Sequence, residues 1–503
     1  MPRRLFAVLL VLAAVYRFSL LGHGALAFVD ETLYFSSVKA LQALSAADVH
    51  GAVADIALAR GRDGAAVVQL PVAALQAIPA HYGVPASNLR SLLIPTAANV
   101  VVTLVSLFFV FGIGVVLAGS EWAALAGTAT YALLVNSNMY VRHVLPYDWA
   151  LCCGLGALWA AIVRPNSRGV AAWAGALAGG VLVIYTGYYP LCGAIGVGLL
   201  WEAWATRERR DAVRFAITFA LSAAAVIAAM ELLFRAGGLS YIGSLREVHR
   251  DIVFSSYGDG FLFLPAYLLD VERASGLVLL AAAVVYVCQL AIRVARGILR
   301  PIDRLMLPML AALLAQGASS LYLQAIPLFG RLIHPWMPFL AWMLADVLRR
   351  VSERQRRVVY PAVFAAVVAS FGVTARAYWP LKYPPDVLYE FGIDTSRLPP
   401  GRMPCELYEG TSYASPSPLD RATNAPYTGD ADYLLLNFCQ ALPSVPQPRE
   451  HAAIPSDATR LFDSPHWMSF PAYAYEGLVR SDREAMRRDG YRMQVFRVSA
   501  RTP

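Results

Sequence analysis

The run LRSLLIPTAANVVVTLVSLFFVFGIGVVL, Leu89 to Leu117, decides the fold class. A helix needs roughly 20 consecutive apolar residues to cross the hydrocarbon of a bilayer. This run exceeds that, and its one charge, Arg90, stands at its start. Comparable runs surround it: Leu5–Leu21 before it, then Trp122–Val135, Tyr147–Val163, Val170–Thr186, Tyr188–Ala205, Ala212–Phe234, Ser275–Val294, Leu305–Leu323, Leu332–Leu348 and Val358–Thr374. Together they predict a polytopic α-helical membrane protein with about 11 transmembrane helices. The composition agrees, with 58% of the 503 residues hydrophobic and 15% charged, where soluble domains carry roughly a quarter charged.

A net charge of +8 would fit a nucleic-acid binder, but its distribution argues otherwise. Lys39 and Lys382 are the only lysines, and most arginines sit in short clusters between apolar runs, densest at Arg293–Arg304 and Arg349–Arg357. Loops retained in the cytoplasm have this character. Starting inside and alternating through the spans puts every Arg-rich loop on that side. The first external loop, 23–88, the connection near residue 250 and the chain beyond 375 then fall outside. Arg3 and Arg4 precede the first run, and no small-residue cleavage site follows it. It is expected to be a retained helix with a cytoplasmic N-terminus. Arg17, near its outer end, is expected to snorkel to the interface or serve a site. Abundant Ala and Arg suggest a bacterial inner membrane, and no nucleic-acid partner is expected.

Within 23–88, Ala52–Ala59 and Ala65–Ile78 are too short to span and predict helices along the membrane surface, with Gly61-Arg62-Asp63-Gly64 as a turn between them. Beyond about Ala375, Pro, Asp, Glu, Tyr and Ser become common. Residues 1–375 therefore form the membrane domain, and 376–503 a small extracytoplasmic α/β domain. Tyr433–Phe438 and Tyr491–Val498 read as buried strands. Ser481–Arg488 reads as a helix capped by Ser481, with Glu484 three residues on. Cys152, Cys153, Cys192 and Cys288 lie in apolar runs, whereas Cys405 and Cys439 are outside and free to form a disulfide.

Asp30-Glu31 is the least ordinary pair in the chain, two adjacent carboxylates among Phe28, Tyr34 and Phe35. Their placement costs free energy unless cations or a substrate compensate. Further outer-side groups are Arg142, His143 and Asp148 at the start of the fourth span, Glu247 to Asp259, and Arg331 with His334 ahead of the tenth span. Singly, Arg142 and Arg331 read as headgroup anchors, and His143 as an interfacial residue with Asp148 as ion-pair partner. Jointly, they fit group transfer from an anionic lipid carrier. Arginine holds the phosphate oxygens, a carboxylate takes the proton of the attacking hydroxyl, and the leaving phosphate needs no acid.

An acidic pair after a single N-terminal span, a surface-helical first loop, Arg142 with Asp148, and an Arg-x-x-x-Pro-x-x-Pro pattern at Arg331, Pro335 and Pro338 resemble the GT-C glycosyltransferases. Within these, the likeness is to the protein O-mannosyltransferase and aminoarabinose-transferase-like superfamily. It covers roughly residues 1–375 with short motifs. The resemblance implies a polyprenyl-phosphate sugar donor, an inverting transfer, catalysis outside the cytoplasm, and a cell-envelope glycan, lipid or protein acceptor among membrane lipids. By the same resemblance Asp30 is the general base and Glu31 supports it or contacts the acceptor. Arg331, His334 and Arg142 bind the donor phosphate, while Asp148, Tyr34 and His143 shape the site. No cofactor or metal is expected, since the second outer loop lacks a clear Asp-x-Asp.

Two other classes compete. A lipid-linked oligosaccharide polymerase or ligase would use Arg246, His249 and Arg250 and leave Asp30-Glu31 incidental. A transporter would carry ionisable groups in mid-span and an internal repeat; neither is evident, so it ranks third.

Overall fold

The computed structural model describes residues 1–383, except 26–27, 60, 87, 166–168, 254–258 and 323–327, together with 433–436, 459–490 and 492–497. Cys405 and Cys439 lie outside the described residues, as do Ser255 to Gly258 and the last two residues of the strand expected at Tyr433–Phe438.

Helix α1 (Pro2–Ser19) is followed by a 3-10 turn at Val29–Tyr34 and four short helices: α2 (Phe35–Ser45), α3 (Val49–Ala57), α4 (Asp63–Val68) and α5 (Leu70–His81). Asp48 caps α3 by accepting from Gly51 N at 2.8 Å. Then come α6 (Leu93–Ala118), α7 (Glu121–Ala132), α8 (Asn136–Met139), α9 (Tyr147–Val163), α10 (Val170–Ile184), α11 (Tyr189–Thr206) and α12 (Arg209–Ala236). The second half holds α13 (Tyr241–Val253), α14 (Phe263–Asp270), α15 (Arg273–Ala295), α16 (Pro301–Tyr322), α17 (Gly330–Ile333), α18 (Met337–Arg349) and α19 (Glu353–Tyr378).

The architecture is that of a helical membrane protein. Among the described residues five helices, α6, α12, α15, α16 and α19, are long and apolar enough to cross a membrane. Each of the other intervals read as spans is also helical, but shorter or more polar. At 1.5 Å per residue, the 12 residues of α7 extend about 18 Å, short of the roughly 30 Å of hydrocarbon. Close packing between helices depends on small residues. In α10, a Cβ on Gly175 would lie 2.2 Å from the Phe219 carbonyl, and one on Gly179 would lie 2.8 Å from that of Ala223. The small-xxx-small spacing brings the backbones of α10 and α12 together.

The Arg-rich connections gather at one end of the bundle. Arg3 pairs with Glu121 at 2.7 Å, Arg207 donates to the Pro165 carbonyl at 2.9 Å, and Arg304 pairs with Glu202 at 2.6 Å. Arg300 spans to Asp346 with two bonds of 2.8 and 2.9 Å. The opposite end carries Asp30, Arg142, Asp148, Arg331 and the C-terminal segment.

That segment forms β1 (Tyr433–Leu436), β2 (Thr459–Pro465), α20 (Pro471–Gly477), α21 (Arg480–Asp489) and β3 (Arg492–Arg497). The strands make an antiparallel sheet in the order β1-β3-β2, with Tyr433 and Thr459 both opposite Arg497. The expected cap at Ser481 is not formed. Val479, extended at φ −64° and ψ 163°, takes the capping position, and Ser481 falls inside the first turn. The helix starts earlier, with an Arg480–Glu484 pair at 2.9 Å along its exposed side.

Candidate functional site

The split between Asp30 and Glu31 follows from the 3-10 turn that carries them. With three residues per turn, neighbouring side chains leave the axis about 120° apart. Adjacent carboxylates therefore reach different surroundings.

Asp30 Oδ2 accepts from Arg62 Nη2 at 2.6 Å, from the Tyr147 hydroxyl at 3.4 Å, and from Arg331 Nη1. Arg331 Nη1 also donates to the Tyr147 hydroxyl at 2.8 Å. Four segments converge here: the 3-10 turn, the start of α4, the first residue of α9, and α17. Burial alone would raise the Asp30 carboxyl, but the charges of Arg62 and Arg331 outweigh it and hold it well below the usual carboxylate range. The Asp30 side chain is 30% exposed, against 13% for Arg62 and 16% for Arg331. Arg331 packs over Phe329 at 4.3 Å, and Arg62 over Tyr185 at 5.7 Å. Arg62 Nη1 and Arg331 Nε are buried with no hydrogen-bond partner among the described residues. Two guanidiniums thus clamp one part-exposed carboxylate edge.

Glu31 is fully buried and accepts from Phe28 N at 3.0 Å and Val144 N at 2.8 Å. His143 Nδ1 lies 3.0 Å from it, and His143 Nε2 lies 2.7 Å from the Tyr473 hydroxyl. With Nδ1 protonated toward Glu31, the neutral ring accepts from Tyr473. Tyr473 meets the hydroxyls of Tyr378, at 3.2 Å, and Tyr383. Arg142 belongs to this array too, 4.1 Å above the Tyr378 ring and 3.3 Å from the Tyr383 hydroxyl. It is buried and makes none of the contacts that hold Asp30.

Of the residues read from sequence, Asp30 and Arg331 are brought together, and Glu31, His143 and Arg142 form a second, closed array. Asp148 pairs with His334 rather than His143, at 3.1 Å, and Asn136 Oδ1 occupies the other nitrogen of His334 at 2.7 Å. His334 is completely buried there. Tyr34 donates to Gln76 Oε1 at 2.6 Å and packs under α5, away from Asp30. Arg17 does not snorkel. It is buried and donates to Asn138 Oδ1 at 2.9 Å; Asn138 itself ties back to the carbonyls of Ala132 and Leu134. Arg246 and Arg250 are exposed on α13, and the His249 side chain lies outside the described residues.

Sequence reading missed Arg62, Tyr147 and Glu476. Arg62 had a signal, as one of two arginines, Arg60 and Arg62, between two apolar stretches. Glu476 is the one acid in the aromatic PAYAYEG stretch, yet 446 residues separate it from Asp30. It is buried, accepts from the Tyr140 hydroxyl at 2.5 Å and lies 3.9 Å from Arg331 Nε. Beside Arg62, Asp63 is also buried, which pushes its carboxyl up to about 7. Among the described residues no three His, Cys, Asp or Glu side chains converge as metal ligands, and the groups around Asp30 are cationic. Compared with known proteins, the chain matches no family model, no curated protein and no solved structure.

Proposed function

We propose that the chain is a membrane-embedded glycosyltransferase that moves a sugar from a polyprenyl-phosphate carrier to an acceptor hydroxyl, with inversion. The observation that carries this reading is the Asp30 cluster, where a part-exposed carboxylate edge lies between two more deeply buried guanidiniums. Arg331 and Arg62 would take the donor phosphate oxygens through charge-assisted bonds. The acceptor oxygen would attack the anomeric carbon as Asp30 takes its proton. The bond from that carbon to the phosphate oxygen breaks, and the phosphate leaves already ionised.

A carboxylate clamped by two guanidiniums is a weak base. Donor phosphate competes for both of them, so its arrival strengthens Asp30 as a base. Acceptor activation would then follow donor binding. The gathering of Arg-rich connections at one end supports a cytoplasmic location for that end. The Asp30 end and the C-terminal segment would then face outward from a bacterial inner membrane, with about 11 spans if the bilayer thins around the shorter helices.

The test is transfer of radiolabelled sugar from a polyprenyl-phosphate donor pool in membranes containing the native chain or Asp30→Asn. Loss of transfer with unchanged expression and insertion is expected. Full transfer by the variant would overturn Asp30 as base, and an absence of transfer by the native chain from every polyprenyl-phosphate donor would overturn the activity.

A further inference from the structure

Helix α20 touches both carboxylate arrays. Tyr473 reaches His143, whereas Glu476 reaches Tyr140 and Arg331. Tyr475 donates to Asp270 at 2.5 Å, Arg487 pairs with the same carboxylate at 2.7 Å, and Arg483 pairs with Asp259 at 2.6 Å. The segment is thus fixed to the helical part on three sides. A Cβ built on Gly330 would lie 2.4 Å from Glu476 Oε1. The carboxylate therefore rests against the backbone that leads into Arg331, in a space that only glycine leaves open.

We propose that Glu476 is a positioning residue of the Asp30 site, holding the Nε edge of Arg331 so that its Nη1 faces Asp30, where a phosphate would compete for it. This rests on the lipid-phosphate reading above. At 3.9 Å the carboxyl group borders Nε without occupying it, held there by the Tyr140 hydroxyl and by its packing on Gly330, so the protonated form positions Arg331 as well. Once ionised, it also repels an anion bound there. Burial pushes this carboxyl up to about 7, an effect that Arg331 and the Tyr140 hydroxyl partly offset. The other titratable groups facing it are Asp30 and the hydroxyls of Tyr185, Tyr188 and Tyr267. Phosphate affinity should therefore fall as pH rises through the neutral range.

The probe is a prenyl phosphodiester, whose single charge does not change over this range, bound to the purified full chain in detergent micelles. Native affinity should fall by up to about tenfold per pH unit above the Glu476 titration. Glu476→Gln should bind at all pH values with a flat profile. Gly330→Ala, which displaces the carboxylate while keeping it, should weaken binding throughout. Asp30→Asn should keep the sloping profile. If Arg331→Gln abolishes binding while Glu476→Gln and Gly330→Ala both retain the native affinity and slope, the role of Glu476 is overturned. If the native chain binds no phosphodiester at any pH, the lipid-phosphate reading itself falls. Should Glu476→Gln not fold, Gly330→Ala with native affinity and slope is enough to overturn the role.

Discussion

The two ends of α18 each carry an arginine–aspartate cluster, and the clusters are built inside out relative to each other. At the Arg-rich end, Asp346 accepts from Arg300, Arg349 and Arg350, and Asp303 from Arg293 and Tyr286. Both carboxylates are fully buried, and the arginines around them are 12–34% exposed. At the other end the carboxylate is more exposed than its guanidiniums. A buried anion ringed by cations ties helix ends together, here those of α15, α16 and α18. A part-exposed anion over more deeply buried cations instead turns the carboxylate toward a ligand. The same residue types make a staple in one place and a candidate site in the other, and exposure tells them apart.

Predictions follow that contrast. Asp30→Asn should lower transfer in the folded fraction by about 100-fold or more, with some loss of stability because two largely buried guanidiniums lose their counter-ion; transfer retained in the folded fraction would make Asp30 a second staple. Asp346→Ala should act on stability alone. It strands three arginines and should cost about 2 kcal/mol, discounted for their partial exposure, with donor affinity retained in the folded fraction. Thermal unfolding beside lipid-phosphate binding separates the two outcomes. Glu31→Gln should stay within about threefold of native transfer in the folded fraction, because Glu31 makes none of the Asp30 contacts, and should lose stability, because one carbonyl oxygen cannot replace the two that accept from the Phe28 and Val144 amides. Inactivity equal to that of Asp30→Asn would mean the two carboxylates work as one.

Asp63 gives a pH test. Its carboxyl holds a proton to about pH 7 when folded and only to about pH 4 when unfolded. The native state binds the extra proton between those values, so stability is lost as pH rises through that window. Asp63→Asn should remove part of this decline in melts run across the range, leaving the share due to Glu272 and Glu476, each also pushed up to about 7 by burial. Smallest of all, Ser481→Ala should change stability by less than about 0.5 kcal/mol, since Ser481 caps nothing. A loss near 1 kcal/mol would restore the cap read from sequence.

The helices were legible because apolar runs and their Arg-rich connections carry a strong local signal. Asp30 was legible as an acid out of place, and Arg331 by its neighbourhood of prolines. Its partners were harder to find. Arg62 lies inside what reads as a turn, and Tyr147 is an unremarkable first residue of an apolar helix. The divergence of Asp30 and Glu31 depends on a 3-10 turn that no local pattern announces. Arg142 and His334 looked like anion binders because the partners that satisfy these buried side chains, Tyr378 and Tyr383 for one and Asn136 and Asp148 for the other, come from distant stretches. Glu476 belongs to the same class, as a long-range contact made by the part of the chain with the weakest sequence pattern.

The docking of α20 also sets an order of assembly. Asp30 emerges from the ribosome early, and the residues that close over its neighbourhood emerge more than 440 positions later. Until Tyr473 and Glu476 arrive, the membrane part holds His143 without its Tyr473 partner and Arg331 without a second carboxylate. A nascent chain halted before residue 471 would be inserted but incomplete. Completion of both arrays therefore waits on α20, which follows every helix of the bundle in the chain.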